Sequence, residues 1–520
     1  LDKTNHLLKS FKEVTLKYDF SHLSLDIQNS IPHLISAMKK LNILYLKQQD
    51  EKLPAYWEKA RFEPIRNYTW FFKGPYDHFD HFKSLTNDLP DRKPGCAFYP
   101  DDINKDDYDS FLLSLNDEKK EPFFDANSVI RKQNNSYISI PYHQYYSEDL
   151  KPICNDLLKA SAEIKHKGLK NFLKNKANSL LTGKYRENDA QWVTLKDAPL
   201  EFVMGPYEVY EDNLYGVKAS YESILLVNDK EKADILYQIE NNIGSIANHF
   251  PLPNESRAAI GKTAPIVVAH QLFAAGEASA GIEAVAFNLP NDPWVRGNIG
   301  WKQVLIYNMM QSKYNHCSAI IGDRIIENFE PDFEPYFYSV LFHEISHGLG
   351  PAYRKNGNSI SKVMGKNYSS IEEAKADMGG IFILLKLAGK YGIPSFNQEK
   401  LLKSVFAGFF RSIRFGMNEA HGIANLIEYN WFKEYGVIFK NPNNKFDFQV
   451  NTFEKAVESL LVKLTELQAS GSLKEVQSFL NKYGIPTKEI IKTLDGLKDL
   501  PIDIKINYSL KGNEWSFSGN

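Results

Sequence analysis

Tyr336-Phe337-Tyr338-Ser339-Val340-Leu341-Phe342-His343-Glu344-Ile345-Ser346-His347-Gly348 is the stretch from which this fold is best read. Its apolar residues are dense enough for a helix buried on most sides, and Gly348 and Gly350-Pro351 stop it. Within that helix His343 and His347 stand four residues apart, so both imidazoles share one face and can grip one Zn²⁺. Glu344 lies beside them at the rim, placed to take a proton from an attacking water. A buried helix has no packing reason to carry two histidines and a glutamate.

A catalytic zinc takes three protein ligands and leaves its fourth position to water, so a further ligand is expected downstream. Ser369-Ser370-Ile371-Glu372-Glu373-Ala374-Lys375-Ala376-Asp377 supplies it. The paired serines followed by Glu372 and Glu373 form a capping-box pattern opening a second helix, which continues through the apolar Met378 to Leu385. This predicts Glu373 in the first turn, as the third metal ligand. Asp377, four residues on and on the same face, is predicted to hydrogen-bond the far nitrogen of a ligand histidine, with Glu372 beside it in the layer behind the ligands. By itself an acidic first turn only suits the helix dipole. Downstream of His-Glu-x-x-His it becomes the two-helix gluzincin layout, and the reaction class is metal-assisted hydrolysis of an amide.

A chain of 520 residues exceeds one core and implies two or more lobes. Hydrophobic content of 43%, charged content of 24% and a net charge of −2 are those of an ordinary globular protein. No Lys/Arg cluster points to nucleic acid, and no apolar run reaches the roughly 18 residues of a membrane span. Cys96, Cys154 and Cys317 are isolated and odd in number, which reads as buried free thiols instead of a disulfide framework or zinc knuckle. The cytoplasm is the expected compartment; an exported form stays open because the chain starts at Leu1 instead of Met. A monomer is expected.

Along the chain a helix is predicted near Asp26 to Gln49, then an aromatic, proline-punctuated region from Leu53 to Pro141, then helices between Glu148 and Leu181. Strands are predicted at Trp192-Val193-Thr194, Leu200 to Met204, Ser223 to Val227, Pro265 to Ala269 and Ala284 to Asn288, with a helix from Glu231 to His249 between them. Tyr336 to about Leu497 reads mainly helical, and Pro501 to Tyr508 alternates like a strand. The expected fold class is α/β, with two lobes around a cleft: one mixed α/β with a β-barrel-like core, one mainly helical and carrying the zinc site. Residues 1–228, about 264–316 and 500–520 are assigned to the mixed lobe, and 229–263 with about 317–499 to the helical lobe. Asp77-His78-Phe79-Asp80-His81 has ligand-like residue types but reads as a surface loop.

With the two helices in place, the chain resembles the dipeptidyl peptidase III family of zinc metallopeptidases over roughly Glu201 to Asn430. That family's second motif reads Glu-Glu-x-Arg/Lys-Ala-Glu/Asp, and Glu372-Glu373-Ala374-Lys375-Ala376-Asp377 fits at every position, the second glutamate being the ligand. Gly205-Pro206-Tyr207-Glu208-Val209-Tyr210 resembles the family's cleft strand. The resemblance implies that Glu208 binds the substrate's α-amino group and that Tyr210 donates to the oxyanion. Asn288-Leu289-Pro290-Asn291 resembles the Asn-x-Pro-Asn segment, whose asparagines hold the amino end and backbone of the peptide. Ala420-His421 resembles the family's Gln/Glu-Ala-His, which implies that His421 helps stabilise the transition state. One departure stands out: the family's usual motif is His-Glu-x-x-x-His, and the five-residue form here suits an undistorted helix.

The function implied is a zinc-dependent exopeptidase that releases dipeptides from the N-termini of short peptides. The dipeptide length comes from the resemblance alone. A zinc endopeptidase or other amide hydrolase and a weakly catalytic peptide-binding protein are the alternatives. Blocking the substrate's N-terminus separates the first two, and Glu344 argues against the third, since a binder has no use for a base beside the metal.

Overall fold

The structure, a computed structural model, describes residues 2–59, 63–134, 136–253, 265–351, 353–510 and 513–515. The first lobe is built on β1 (Phe11–Lys17), α1 (Leu25–Gln49) and α2 (Ser147–Glu163), followed by β2 (Leu200–Glu208), β3 (Ser220–Asn228), β4 (Ile266–Gly276), β5 (Ala286–Leu289) and β6 (Lys302–Ile306). The second carries α3 (Phe333–His347), α4 (Tyr368–Lys386), α5 (Ala420–Glu434) and α6 (Val450–Ser470), and β7 (Asp503–Leu510) closes the chain. The architecture is thus α/β, a sheet-containing lobe beside a helical one.

Strands β2 to β6 form one sheet in the order β2-β3-β4-β6-β5, with β4 and β6 parallel and the other pairs antiparallel. β3 is buried along its whole length up to Asn228, which is why Ile224-Leu225-Leu226-Val227 reads as an unbroken apolar run instead of an alternating one. Leu34, Met38 and Leu41 of α1, Leu157 of α2, Phe202, Leu225 and Phe273 meet in this lobe's core. The other core gathers Phe337, Leu341 and Phe342 of α3, Ile371, Met378 and Ile381 of α4, and Leu460 and Leu464 of α6. Each such side chain contributes roughly 1.5–3 kcal/mol when taken out of water.

β6 belongs to both cores. Leu305 faces the helical core while Val304 and Ile306 face the other, the two-residue alternation of a strand placed on the seam. The two ends of the chain meet as well, because β1 pairs in parallel with β7. There Asp503, fully buried, accepts from Lys313 Nζ at 3.0 Å and Arg411 Nη2 at 3.2 Å.

The contact that positions the site is between α3 and α4. A Cβ added at Gly380 would lie 2.7 Å from the His343 nitrogen and 2.8 Å from the Ser339 oxygen, so only glycine lets the two backbones approach this closely. α4 begins at Tyr368, with no side-chain cap at Asn367, and Glu373 therefore sits in its second turn. The expected capping box at Ser369-Ser370 is not formed, because the chain enters α4 directly from the helical turns Ile360–Met364 and Gly365–Asn367.

Other expectations are corrected too. Trp192-Val193-Thr194 is the end of a helix, Arg186–Thr194, with the Thr194 hydroxyl donating to the Ala190 carbonyl; three residues are too few to separate a period of 2 from one of 3.6. The segment from Glu231 to His249 is two helices, Lys230–Asn241 and Ile243–His249. The Asp77–His81 loop is exposed at Phe79 and His81, as a surface loop would be, but packed at its start, with Asp77 buried against Lys3 at 2.6 Å and the His78 ring 4.6 Å from that of Phe72. All three cysteines are buried and free. The expected lobe boundary at 263/264 and the final residues 516–520 lie outside the described residues. No helix among the described residues is long and apolar enough to cross a membrane.

Gly380→Ala is expected to destabilise the protein by about 1–3 kcal/mol in urea unfolding, because the clash is with backbone that cannot swing aside. Gly244→Ala, where an added Cβ meets nothing, should instead be neutral or stabilising by up to about 1 kcal/mol.

Candidate active site

α3 and α4 bring His343, His347 and Glu373 to one point, with a ligand atom of each within 4.8 Å of the others. The Nδ1 of His343 lies 2.6 Å from Asp377 Oδ1, and the Nδ1 of His347 lies 2.8 Å from Glu372 Oε1. An ionised carboxylate only accepts, so each Nδ1 carries the proton and each Nε2 is left with a lone pair. Those two Nε2 atoms are 3.0 Å apart, and Glu373 Oε2 is 3.3 Å from one and 3.6 Å from the other. Three electron-pair donors facing one another with no proton between them repel. A cation removes the conflict, and two imidazoles with one carboxylate are the donor set that zinc takes.

The layer behind the ligands is itself braced. Glu372 accepts from His347, from Lys375 Nζ at 2.8 Å and from Gln468 Nε2 of α6 at 2.6 Å. Burial opposes the charge on Glu372, but Lys375 and His347 outweigh it and hold its carboxyl down at about 2. Lys375, itself 2% exposed, also donates to the Ser346 carbonyl at 2.7 Å and the Leu349 carbonyl at 3.3 Å. One ammonium thus satisfies carbonyls at the end of α3 and pins the carboxylate that orients His347.

Glu344, next to His343 on α3, lines a cleft of about 690 Å³ between the lobes. Glu208, Tyr210, Asn288, Asn291 and Gln303 line the same cleft. Asn291 donates to Glu208 Oε1 at 3.1 Å and to the Tyr207 carbonyl at 3.0 Å. Tyr210, in the turn after β2, is exposed and bonds to Glu208, whose charge pushes the phenol pKa up. Asn288 is exposed on β5, paired in register with Gln303 of β6. The Gln303 amide donates to Glu344 Oε2 at 2.5 Å, a direct bond from the sheet lobe to the motif helix. His421 stands at the opening of α5 with its Nδ1 3.4 Å from Glu373 Oε2. Every residue predicted for the metal, substrate or catalytic site therefore falls at the metal cluster or in the cleft beside it.

Sequence reasoning missed Gln303, Gln468 and two cleft acids, Glu222 and Glu277. Burial, reinforced by Glu208, pushes Glu222 up to about 8. Burial and the neighbouring acids, Glu222 first, push Glu277 up to about 10. None of the four lies in a motif; each matters only through distant neighbours. Lys375 stands inside the second motif, and its position there was the available signal.

This geometry is that of a two-lobed metallopeptidase, with a cluster that could hold a metal on the helical side of a cleft. The pattern of Peptidase family M49 matches residues 98–358, half of the chain, and the chain belongs to this family; it is a peptidase of the dipeptidyl peptidase III type. The match takes in the His-Glu-x-x-His helix and ends before Glu372–Asp377 and His421. The structure superposes on dipeptidyl peptidase III from Caldithrix abyssi with a TM-score of 0.88 at 29% identity, covering 98% of this chain and 99% of that one. Against dipeptidyl peptidase III from Corallococcus sp. strain EGB the TM-score is 0.74 at 27% identity, covering 98% and 97%. In sequence the chain is 27% identical to Nudix hydrolase 3 of Arabidopsis thaliana, over 97% of this chain and 73% of that protein.

Lys375→Met leaves Glu372 as a buried charge short of its strongest partner. The metal-free variant is expected to lose about 3 kcal/mol in urea unfolding.

Proposed function

We propose that this protein is a zinc-dependent exopeptidase that removes dipeptides from the N-termini of short peptides. The reading rests on one juxtaposition: an exposed acid–amide pair, Glu208 with Asn291, shares a cleft with Glu344, whose neighbours in α3 are the paired histidines. His343, His347 and Glu373 would hold the zinc, which when bound supplies Lewis-acid polarisation of the scissile carbonyl and acidifies water.

The chain's own residues do the rest. Glu208 meets the peptide's α-ammonium with its carboxylate, and the acids Glu222 and Glu277 behind it, kept protonated by burial and by the neighbouring acids, leave that charge uncontested. Asn288 and Asn291 hold the amino end and backbone of the first residues, which sets how far the chain reaches toward Glu344. Glu344 takes the proton of the attacking water on one carboxylate oxygen and hands it to the leaving amine. Gln303 occupies the other oxygen and keeps the carboxylate turned to the cleft. The Tyr210 phenol donates to the oxygen on which negative charge develops, and His421 adds a second polar group at the rim beside Glu373. One copy of the chain supplies each of these residues, so the proposed mechanism needs no second copy.

The test is hydrolysis of a free-amino pentapeptide beside its N-acetylated copy, with and without a chelator, reading fragments by mass. A dipeptide is expected from the free, metal-replete sample only. Equal cleavage of both peptides would make the enzyme an endopeptidase, and no cleavage of either would make it a binder or restrict it to a narrower substrate. Glu344→Gln should lower kcat by about 10²–10⁴-fold with zinc still bound, whereas His347→Ala should lose zinc.

A further inference from the structure

Behind Asp377 the helical lobe buries one more acid that the reaction does not use. Glu428 of α5 is 0% exposed, and its carboxyl group contacts that of Asp377. Asn425, a turn earlier on α5, donates from Nδ2 to Glu428 Oε2 at 2.9 Å and to Asp377 Oδ2 at 3.4 Å. The other oxygen, Glu428 Oε1, is buried with no hydrogen-bond donor among the described residues, and no cation among them pairs with Glu428.

Two carboxylates in contact, one of them fully buried with no counter-ion and with one oxygen lacking a donor, are not tolerated as a pair of anions. Asp377 has a reason to be ionised, since it accepts the Nδ1 proton of His343. Glu428 has none. We infer that Glu428 is a neutral carboxylic acid that donates a hydrogen bond to Asp377, which makes it the positioning residue for the His343 ligand. Its acid proton satisfies the orphaned Oε1, keeps a single negative charge in the pair, and holds the Asp377 carboxylate at the angle that fixes the imidazole. Burial and the charge of Asp377 both push Glu428 well above the usual carboxylate range, in agreement with the contact geometry. The inference rests on the reading that His343, His347 and Glu373 hold the metal.

The test measures zinc affinity by competition with a chromophoric chelator for the wild type, Glu428→Gln, Glu428→Leu and His347→Ala, together with urea unfolding of each metal-free protein. In Glu428→Gln the Asn425 donor keeps the amide oxygen on its own side, so the amide N–H takes the place of the acid O–H. This variant is expected to hold zinc within about threefold of wild type, whereas Glu428→Leu, which removes the hydrogen bond from residue 428 to Asp377, should bind about 10- to 100-fold more weakly. Metal-free Glu428→Leu should unfold at no lower urea concentration than wild type, since a leucine suits the dry site, so a purely structural role would not produce the zinc loss. Equal loss in the Gln and Leu variants would overturn the inference, as would unchanged affinity in Glu428→Leu. His347→Ala retaining zinc would overturn the ligand assignment itself, a failure separable from that of Glu428.

Discussion

Everything at this site depends on how closely α3 and α4 approach. The two helices carry groups that repel one another, two imidazole lone pairs and a carboxylate, and only a backbone contact with no side chain between brings them to a common point. Gly380 against the His343 and Ser339 backbone is that contact. Apolar burial on both sides of it, from Phe342 and Ile345 to Met378 and Ile381, supplies the force. A charge-laden site is thereby held by an apolar frame. The polar layer between them, Asp377, Glu372 and Lys375, passes the rigidity of the frame on to the rings.

The second constraint is the seam. β6 sends alternate side chains into the two cores, and Gln303 on the same strand reaches the carboxylate of Glu344. The strand that joins the lobes thus also contacts the residue placed to move protons, and its register partner across the sheet is Asn288. A peptide lying along β5 would meet residues bonded, within two steps, to Glu344. The cleft acids follow the same logic. Glu222 and Glu277 resist ionisation because burial and the neighbouring acids oppose further negative charge in this space.

Much of this was legible in the chain because the chemistry is local. His343, Glu344 and His347 are set by the pitch of one helix, and Glu373 with Asp377 by the pitch of a second, so spacing alone places each pair. The long helix near residues 26–49, the buried strand ending at Val227 and the helical run after Tyr336 were readable for the same reason, their periodicity being longer than the noise. Short or context-dependent elements were not. Trp192-Val193-Thr194 has strand residues and a helical fate, and the serines before Glu372 spell a cap that an already running helix does not need.

By itself the sequence determined which residues can bind a metal and which can move a proton, because residue type and helical spacing settle both. It could not decide which helix lies against which, and so which carboxylate braces which ring. That Gln468 supports Glu372 from 96 residues away, that Gln303 holds Glu344, and that Glu428 backs Asp377 are products of packing. A glutamine or a glutamate carries no sign of its partner along the chain. Its role is set when burial removes water and leaves one neighbour to satisfy each polar atom.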